Sequence, residues 1–296
     1  MRPIRIPLLL AAAVEEDAQH DPGRARWLAA LPEVVDSIAV EWELKLGEPY
    51  EPGGQCAWIA PARNPEHRGV VLKVEWRHPE AEHEADALRL WDGDGAIRCL
   101  ATRTVDDSMI LLLERCEPGV QLKRSLAEPE QDLVIAGLLR RLWGHRPPDP
   151  HPFDSLQAMC NTWADEFEHE FSTDTRGLDL GLARDAVTLL RELPATADQR
   201  VLLCTDLHAE NVLSAHRESW LAIDPKPYVG DPAYDPVQHM LNCEHRLATD
   251  PVGLSRRMAE LLDLDPERVR LWLFARCAQG SLHNPSMREP ARQLTL

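Results

Sequence analysis

Apolar residues recur three and four apart between Gly23 and Trp42. Trp27, Leu28, Leu31, Val34, Val35 and Ile38 share one face there and predict a helix. The same period runs from Pro79 to Trp91 through Ala81, Ala85, Leu88 and Trp91. It returns from Asp154 to Phe171 through Leu156, Met159, Trp163, Phe167 and Phe171. Leu178 to Leu193 and Pro266 to Leu282 also read as helices. Short apolar runs predict strands at Val70–Trp76, Met109–Cys116, Leu202–Cys204, Val212–Ser214 and Trp220–Ile223. Trp42 to Tyr50 and Gln55 to Ala62 bracket Glu51-Pro52-Gly53-Gly54, which predicts a hairpin with a tight glycine turn. The proline-rich stretch from Arg146 to Pro152 reads as a linker between helices.

The first residues imitate a secretory signal. Arg2 and Arg5 precede an apolar run from Ile6 to Val14. Pro7 lies inside that run and Glu15-Glu16-Asp17 follow it at once, so a helical N-terminal arm is the better reading. No apolar run approaches the roughly 18 residues that a membrane span needs.

The chemistry concentrates between Val201 and Tyr234. Asp206 is followed by Asn211 at Asp-x-x-x-x-Asn spacing, and Asp224 stands just past the apolar stretch Trp220–Ile223. Kinases use this layout for phosphoryl transfer. The first Asp accepts the proton of the acceptor hydroxyl, and the Asn and second Asp hold magnesium on the phosphates. Two strands joined by the polar turn Ala215–Ser219 carry Asn211 in and bring Asp224 back. Two oxygen ligands then face one hard cation. Turn residues of the same types would look alike singly, but the hairpin and second Asp together favour the catalytic reading. A lysine inside an apolar strand is unusual without a partner, and Lys73 sits in the middle of Val70–Trp76. It is the candidate for holding the nucleotide phosphates, with Glu84 as its partner and Glu80 as the alternative. Gly53 and Gly54 are candidates for phosphate contact. No Walker A loop is present.

Asp206-Leu207-His208-Ala209-Glu210-Asn211-Val212-Leu213, Ile223-Asp224-Pro225-Lys226-Pro227 and Gly230-Asp231-Pro232-Ala233-Tyr234-Asp235 carry a resemblance. The chain resembles the aminoglycoside phosphotransferases, and within them the streptomycin 6-kinase and hydroxyurea phosphotransferase branch. Members often have His-Gly before the first Asp, where this chain has Cys204-Thr205. The resemblance implies an α+β, protein-kinase-like fold of two lobes. It implies a helical arm over 1–39, an antiparallel-sheet nucleotide lobe over 40–117 and a mostly helical lobe over 118–296. ATP and Mg2+ are the implied cofactors. Adenine is expected at backbone groups from Glu114 to Cys116, where a strand leaves the first lobe. The acceptor is expected on the helical lobe, where Asp165, Glu166 and Asp235 are candidates to meet guanidinium groups. Asp231 and Asp235 also suit a purely structural tie between the metal loop and the next helix. The implied activity is phosphorylation of an alcohol group on a small antibiotic, streptomycin first. Hydroxyurea, an amino sugar or a biosynthetic intermediate are alternatives, as is an ATP-binding scaffold without catalysis. His208 reads as an ordering residue of the loop. Lys226 is within reach of a transferred phosphate, but relatives with an acid there argue against an essential role.

Composition narrows the setting. The 296 residues include 49 acids against 32 lysines and arginines, a formal net charge of −17. Such a surface repels nucleic acid, and it either favours a cationic small-molecule substrate or serves only to keep the protein soluble. Seven cysteines, an odd number without Cys-x-x-Cys spacing, argue against a disulfide framework or structural zinc and fit a reducing cytoplasm. Cys56, Cys99, Cys160, Cys243 and Cys277 are expected as ordinary packed thiols. A monomer without nucleic-acid or membrane partners is the expectation.

Overall fold

A computed structural model describes residues 4–17 and 21–295. They form two units. The first holds the chain up to Gly93 together with Ile97–Glu117, and the second holds Asp94–Ala96 and everything from Pro118 onward.

The first unit opens with helices α1 (Leu8–Asp17) and α2 (Pro22–Glu41). Asp21 caps α2 by accepting from the Gly23 and Arg24 amides, and Pro22 supplies a ready-made φ for the first turn. A five-stranded antiparallel sheet follows, with β1 (Lys45–Leu46), β2 (Ala57–Arg63), β3 (Gly69–Trp76), β4 (Cys99–Val105) and β5 (Ser108–Glu114) in the order β1-β2-β3-β5-β4. Helix α3 (Glu84–Trp91) lies between β3 and β4 in sequence. Leu10 and Val14 of α1, Trp27, Leu31, Val35 and Ile38 of α2, and Trp58, Val70, Leu72, Val74 and Ile110 of the sheet share one buried core. The helices expected as a separate arm are thus part of this unit's core. Strand residues alternate faces, so Lys73 and Glu75 point away from the side that Leu72 and Val74 bury.

Two expectations are corrected in this unit. The first hairpin strand spans only two residues, not Trp42 to Tyr50. Trp42 still closes α2 and Glu43 takes a left-handed φ of 52°, so the strand cannot start earlier. After Leu46 the ladder meets Pro61, which has no N–H to return the bond that Gly47 donates to it. The helix expected from Pro79 breaks into a 3-10 turn over Pro79–Ala81 and α3 proper.

The second unit begins with β6 (Pro118–Gln121), α4 (Leu122–Ser125), α5 (Glu128–Trp143), α6 (Leu156–Thr173) and α7 (Leu180–Glu192). Strands β7 (Val201–Leu203), β8 (Val212–Ala215), β9 (Trp220–Ala222) and β10 (Tyr228–Gly230) come next. Helices α8 (Val237–Asn242), α9 (Glu244–Thr249), α10 (Pro251–Leu262), α11 (Pro266–Gly280) and α12 (Arg288–Gln293) complete it. Its strands form two small antiparallel sheets, β6-β8-β9 and β10-β7. The apolar face read for α6 is largely buried, through Leu156, Met159, Phe167 and Phe171. Asp231 ties the segment after β10 to α11, accepting from Arg268 Nε at 2.6 Å and Trp272 Nε1 at 2.7 Å. Among the described residues, no helix is long and apolar enough to cross a membrane.

Candidate active site

The loop after β7 is held from several sides. Cys204 and Thr205 donate their amides to the carboxylate of Asp235, the Thr205 bond at 2.7 Å. Thr205 adopts a φ of 49°, an uncommon position for a β-branched residue. Its hydroxyl donates to the Lys226 carbonyl, which helps fix it there. Asp206 follows directly and stays partly open, while Leu207 is fully buried and anchors the loop. Asn211 Nδ2 donates to the Asp206 carbonyl at 3.0 Å and approaches Asp206 Oδ2 at 3.4 Å. The β8–β9 hairpin pairs Val212 with Ala222, and the Ile223 amide donates to the Asn211 carbonyl at 2.9 Å. Asp224, with φ 53°, therefore returns beside Asn211.

Charge shapes this loop. Burial is the main force raising the Asp206 carboxyl above its usual range, and Asp224 adds to it. Lys226 and His208 oppose that rise. Burial lowers His208, which favours a neutral ring. The donor set suits a hard cation. Asn211 uses its NH2 on the Asp206 carbonyl, so its side-chain oxygen remains the ligand it can offer beside the Asp224 carboxylate.

In the first unit, Lys73 is only 3% exposed and its Nζ lies 2.5 Å from Glu84 Oε2. Glu75 Oε2 stands 3.1 Å from the same nitrogen. Sequence reasoning missed Glu75, although two-residue alternation on β3 puts it on the lysine's face. Gly53 has φ 83°, and a Cβ there would lie 2.5 Å from the Pro7 Cβ. Its glycine is required by this close approach of the N-terminal segment, whereas a Cβ on Gly54 would meet only the Ala57 backbone at 3.7 Å. The Glu114 amide donates to the Arg98 carbonyl at 2.9 Å, and its side chain accepts from the Arg98 amide at 3.0 Å. Cys116 is buried.

The proposed acceptor carboxylates fare differently. Asp235 is fully buried, with Trp143 Nε1 donating to it at 2.8 Å besides the two loop amides. It is a brace of the catalytic loop and cannot meet a substrate. Asp165 is exposed and pairs with Arg191 of α7 at 2.7 Å, and Glu166 is exposed on the same helix. Neither lines the cavity beside the loop. That cavity, of about 320 Å3, is walled by His208 and Glu210 of the loop, Lys123 and Glu128 from α4 and α5, and His239 and Asn242 of α8. Lys123 Nζ and Glu210 Oε1 pair across part of it at 2.6 Å. These residues come from distant stretches of chain, so no local pattern announces them.

A small antiparallel sheet, a larger helical part and this braced loop define a phosphotransferase of the kinase-like class. Residues 46–285 match the family described as aminoglycoside/hydroxyurea antibiotic resistance kinase, and the chain belongs to that family. It is 32% identical to the streptomycin 6-kinase of Streptomyces griseus, over 94% of this chain and 90% of that one. It is equally 32% identical to the hydroxyurea phosphotransferase of Kitasatospora aureofaciens, over 92% of this chain and 78% of that one. A solved aminoglycoside phosphotransferase from Streptomyces rimosus, in complex with ADP and streptomycin, superposes with a TM-score of 0.54. It covers 86% of this chain and 98% of its own at 16% identity, a likeness of fold.

Proposed function

We propose that this chain transfers the γ-phosphoryl group of ATP to a hydroxyl of a cationic antibiotic of the streptomycin type. The observation that carries this reading is Asp206, a partly open carboxylate on a loop pinned by Asp235, Asn211 and Lys226. Asp206 orients the acceptor hydroxyl and takes its proton as the new P–O bond forms. Asn211 and Asp224 would hold magnesium, which when bound offsets the charge of the phosphates. Lys73, fixed by Glu84, holds the α- and β-phosphates, Gly54 offers its backbone to phosphate, and the backbone near Cys116 receives adenine. Gly53, whose missing side chain lets Pro7 approach, offers its backbone beside that of Gly54.

The cavity beside His208 is where we place the acceptor. Glu128 gives its wall a carboxylate that suits a guanidinium group, while Glu210 is held by Lys123, and the net charge of −17 draws cations. Its volume of about 320 Å3 is ample for a ring with substituents and generous for hydroxyurea. The 32% identity to a hydroxyurea phosphotransferase keeps that acceptor as the second reading. One chain supplies every residue named, so a monomer suffices, and the reducing, ATP-rich cytoplasm is the setting. ATP consumption by the purified protein with magnesium should be measured against streptomycin, hydroxyurea and a panel of amino sugars. Streptomycin should give the highest kcat/KM, falling several-fold as salt shortens the Debye length from about 30 Å at 0.01 M to below 10 Å. A higher, salt-insensitive kcat/KM on hydroxyurea would transfer the assignment to the second reading.

A further inference from the structure

Lys226 is the most firmly placed cation near Asp206. Its Nζ lies 3.5 Å from Asp206 Oδ2. Its amide donates to the Cys204 carbonyl at 3.0 Å, and its carbonyl accepts from the Thr205 hydroxyl. Both backbone groups of Lys226 are therefore bonded to the two residues that precede Asp206. Pro225 and Pro227 flank it, each with a ring-fixed φ, and a following proline disfavours the helical region for Lys226. The backbone is rigid, while 36% of the side chain remains exposed. The ammonium can turn toward a ligand without disturbing the fold.

We propose that Lys226 is a catalytic residue that bridges Asp206 and the phosphoryl group in flight. The inference rests on the phosphotransferase reading above. A hydroxyl held by Asp206 sits about 3 Å from that carboxylate, and the attacked phosphorus about 3 Å beyond. An ammonium beside the same carboxylate oxygen reaches an equatorial phosphoryl oxygen with one N–H and keeps Asp206 with another. In the transfer the acceptor oxygen bonds to the γ-phosphorus, and its proton passes to Asp206. The bond to the bridging oxygen breaks, and its electron pair leaves with ADP. Lys226 stays protonated throughout and offsets charge that spreads over the equatorial oxygens of a loose transition state. The chain order alone put Lys226 within reach of the phosphate without an essential role, and the contact with Asp206 Oδ2 is what the folded loop adds.

The test uses binding of Mg·ADP with and without aluminium fluoride, a mimic of the phosphoryl group in flight, to the wild-type protein, Lys226→Met and Lys226→Arg. Wild type should bind the fluoride complex more tightly than Mg·ADP alone. Lys226→Met should lose about 100-fold of that gain, keep its affinity for Mg·ADP and keep its melting temperature. Lys226→Arg should recover most of the gain. The proposal is overturned by a full gain in Lys226→Met, by an equal loss for Mg·ADP alone, by failure of Lys226→Arg to improve on Met, or by no gain in the wild type. None of these readouts needs an acceptor. Failure of streptomycin phosphorylation would thus be distinguishable from failure of the role given to Lys226.

Discussion

Removing the charge of Asp132 should loosen the second unit more than any exposed substitution there. Asp132 is fully buried and accepts from His239 Nε2 at 2.9 Å, from both Arg246 Nη atoms at 3.0 and 2.9 Å, and from Arg257 Nε at 2.6 Å. Burial opposes its ionisation, yet these donors win and hold the carboxyl well below the usual range. Asp132→Asn strips the partners of their counter-charge and should cost about 3 kcal/mol near neutral pH in denaturant unfolding. The sign with pH follows from the depressed value. The stability that Asp132 contributes is complete above the unfolded carboxylate pKa of about 4 and is lost as pH falls below it. The gap between wild type and Asp132→Asn should therefore narrow in acid, and a constant gap would refute the charge argument. At this scale the sequence discloses what lies close along the chain. Asp206, Asn211 and Asp224 share one loop and hairpin, so their spacing is informative. Asp165 and Glu166 were read as acceptor contacts from their charge, which does not reveal that Asp165 pairs with Arg191, while of the two readings given to Asp235 the structural tie is the one its burial supports.

Elements transmit this order to the loop. Strand β10 pairs Gly230 with Val201 of β7, the strand that delivers Asp206. A Cβ on Gly230 would lie 2.3 Å from the Leu156 Cβ at the start of α6. Gly230→Ala should force β10 and α6 apart, costing about 2 kcal/mol by overpacking and lowering kcat through β7. Thermal melting and kcat of Gly230→Ala, with Leu156→Ala added to relieve the clash, would check this. An additive double mutant would show that the two positions do not touch. Helices α2, α6, α7 and α11 were legible in the sequence, whereas α5, α8, α9, α10 and α12 and strands β4, β6 and β10 were not read from apolar spacing. Where a predicted element proved shorter, the cause is local. Glu43 in the left-handed region and Pro61 without an N–H shorten β1, and neither alters the apolar pattern on which the prediction rested.

For the molecule as a whole, the family resemblance in the sequence and the observed architecture agree on a kinase-like fold with a small antiparallel sheet and a larger helical part. The cavity proposed for the acceptor was not legible, since α4, α5, the loop after β7 and α8 meet only after folding. The net charge of −17 did point to a cationic ligand, but not to the wall that would receive it. The account turns on Asp206 as the group that orients and deprotonates the acceptor. Its most direct test is phosphoryl transfer to streptomycin in a single turnover by wild type and Asp206→Ala, with nucleotide and acceptor affinities measured on the same samples. The account predicts near wild-type binding of both ligands and a transfer rate lower by about 10³-fold or more, from loss of the base and of hydroxyl alignment together. Transfer by Asp206→Ala within tenfold of wild type would contradict it.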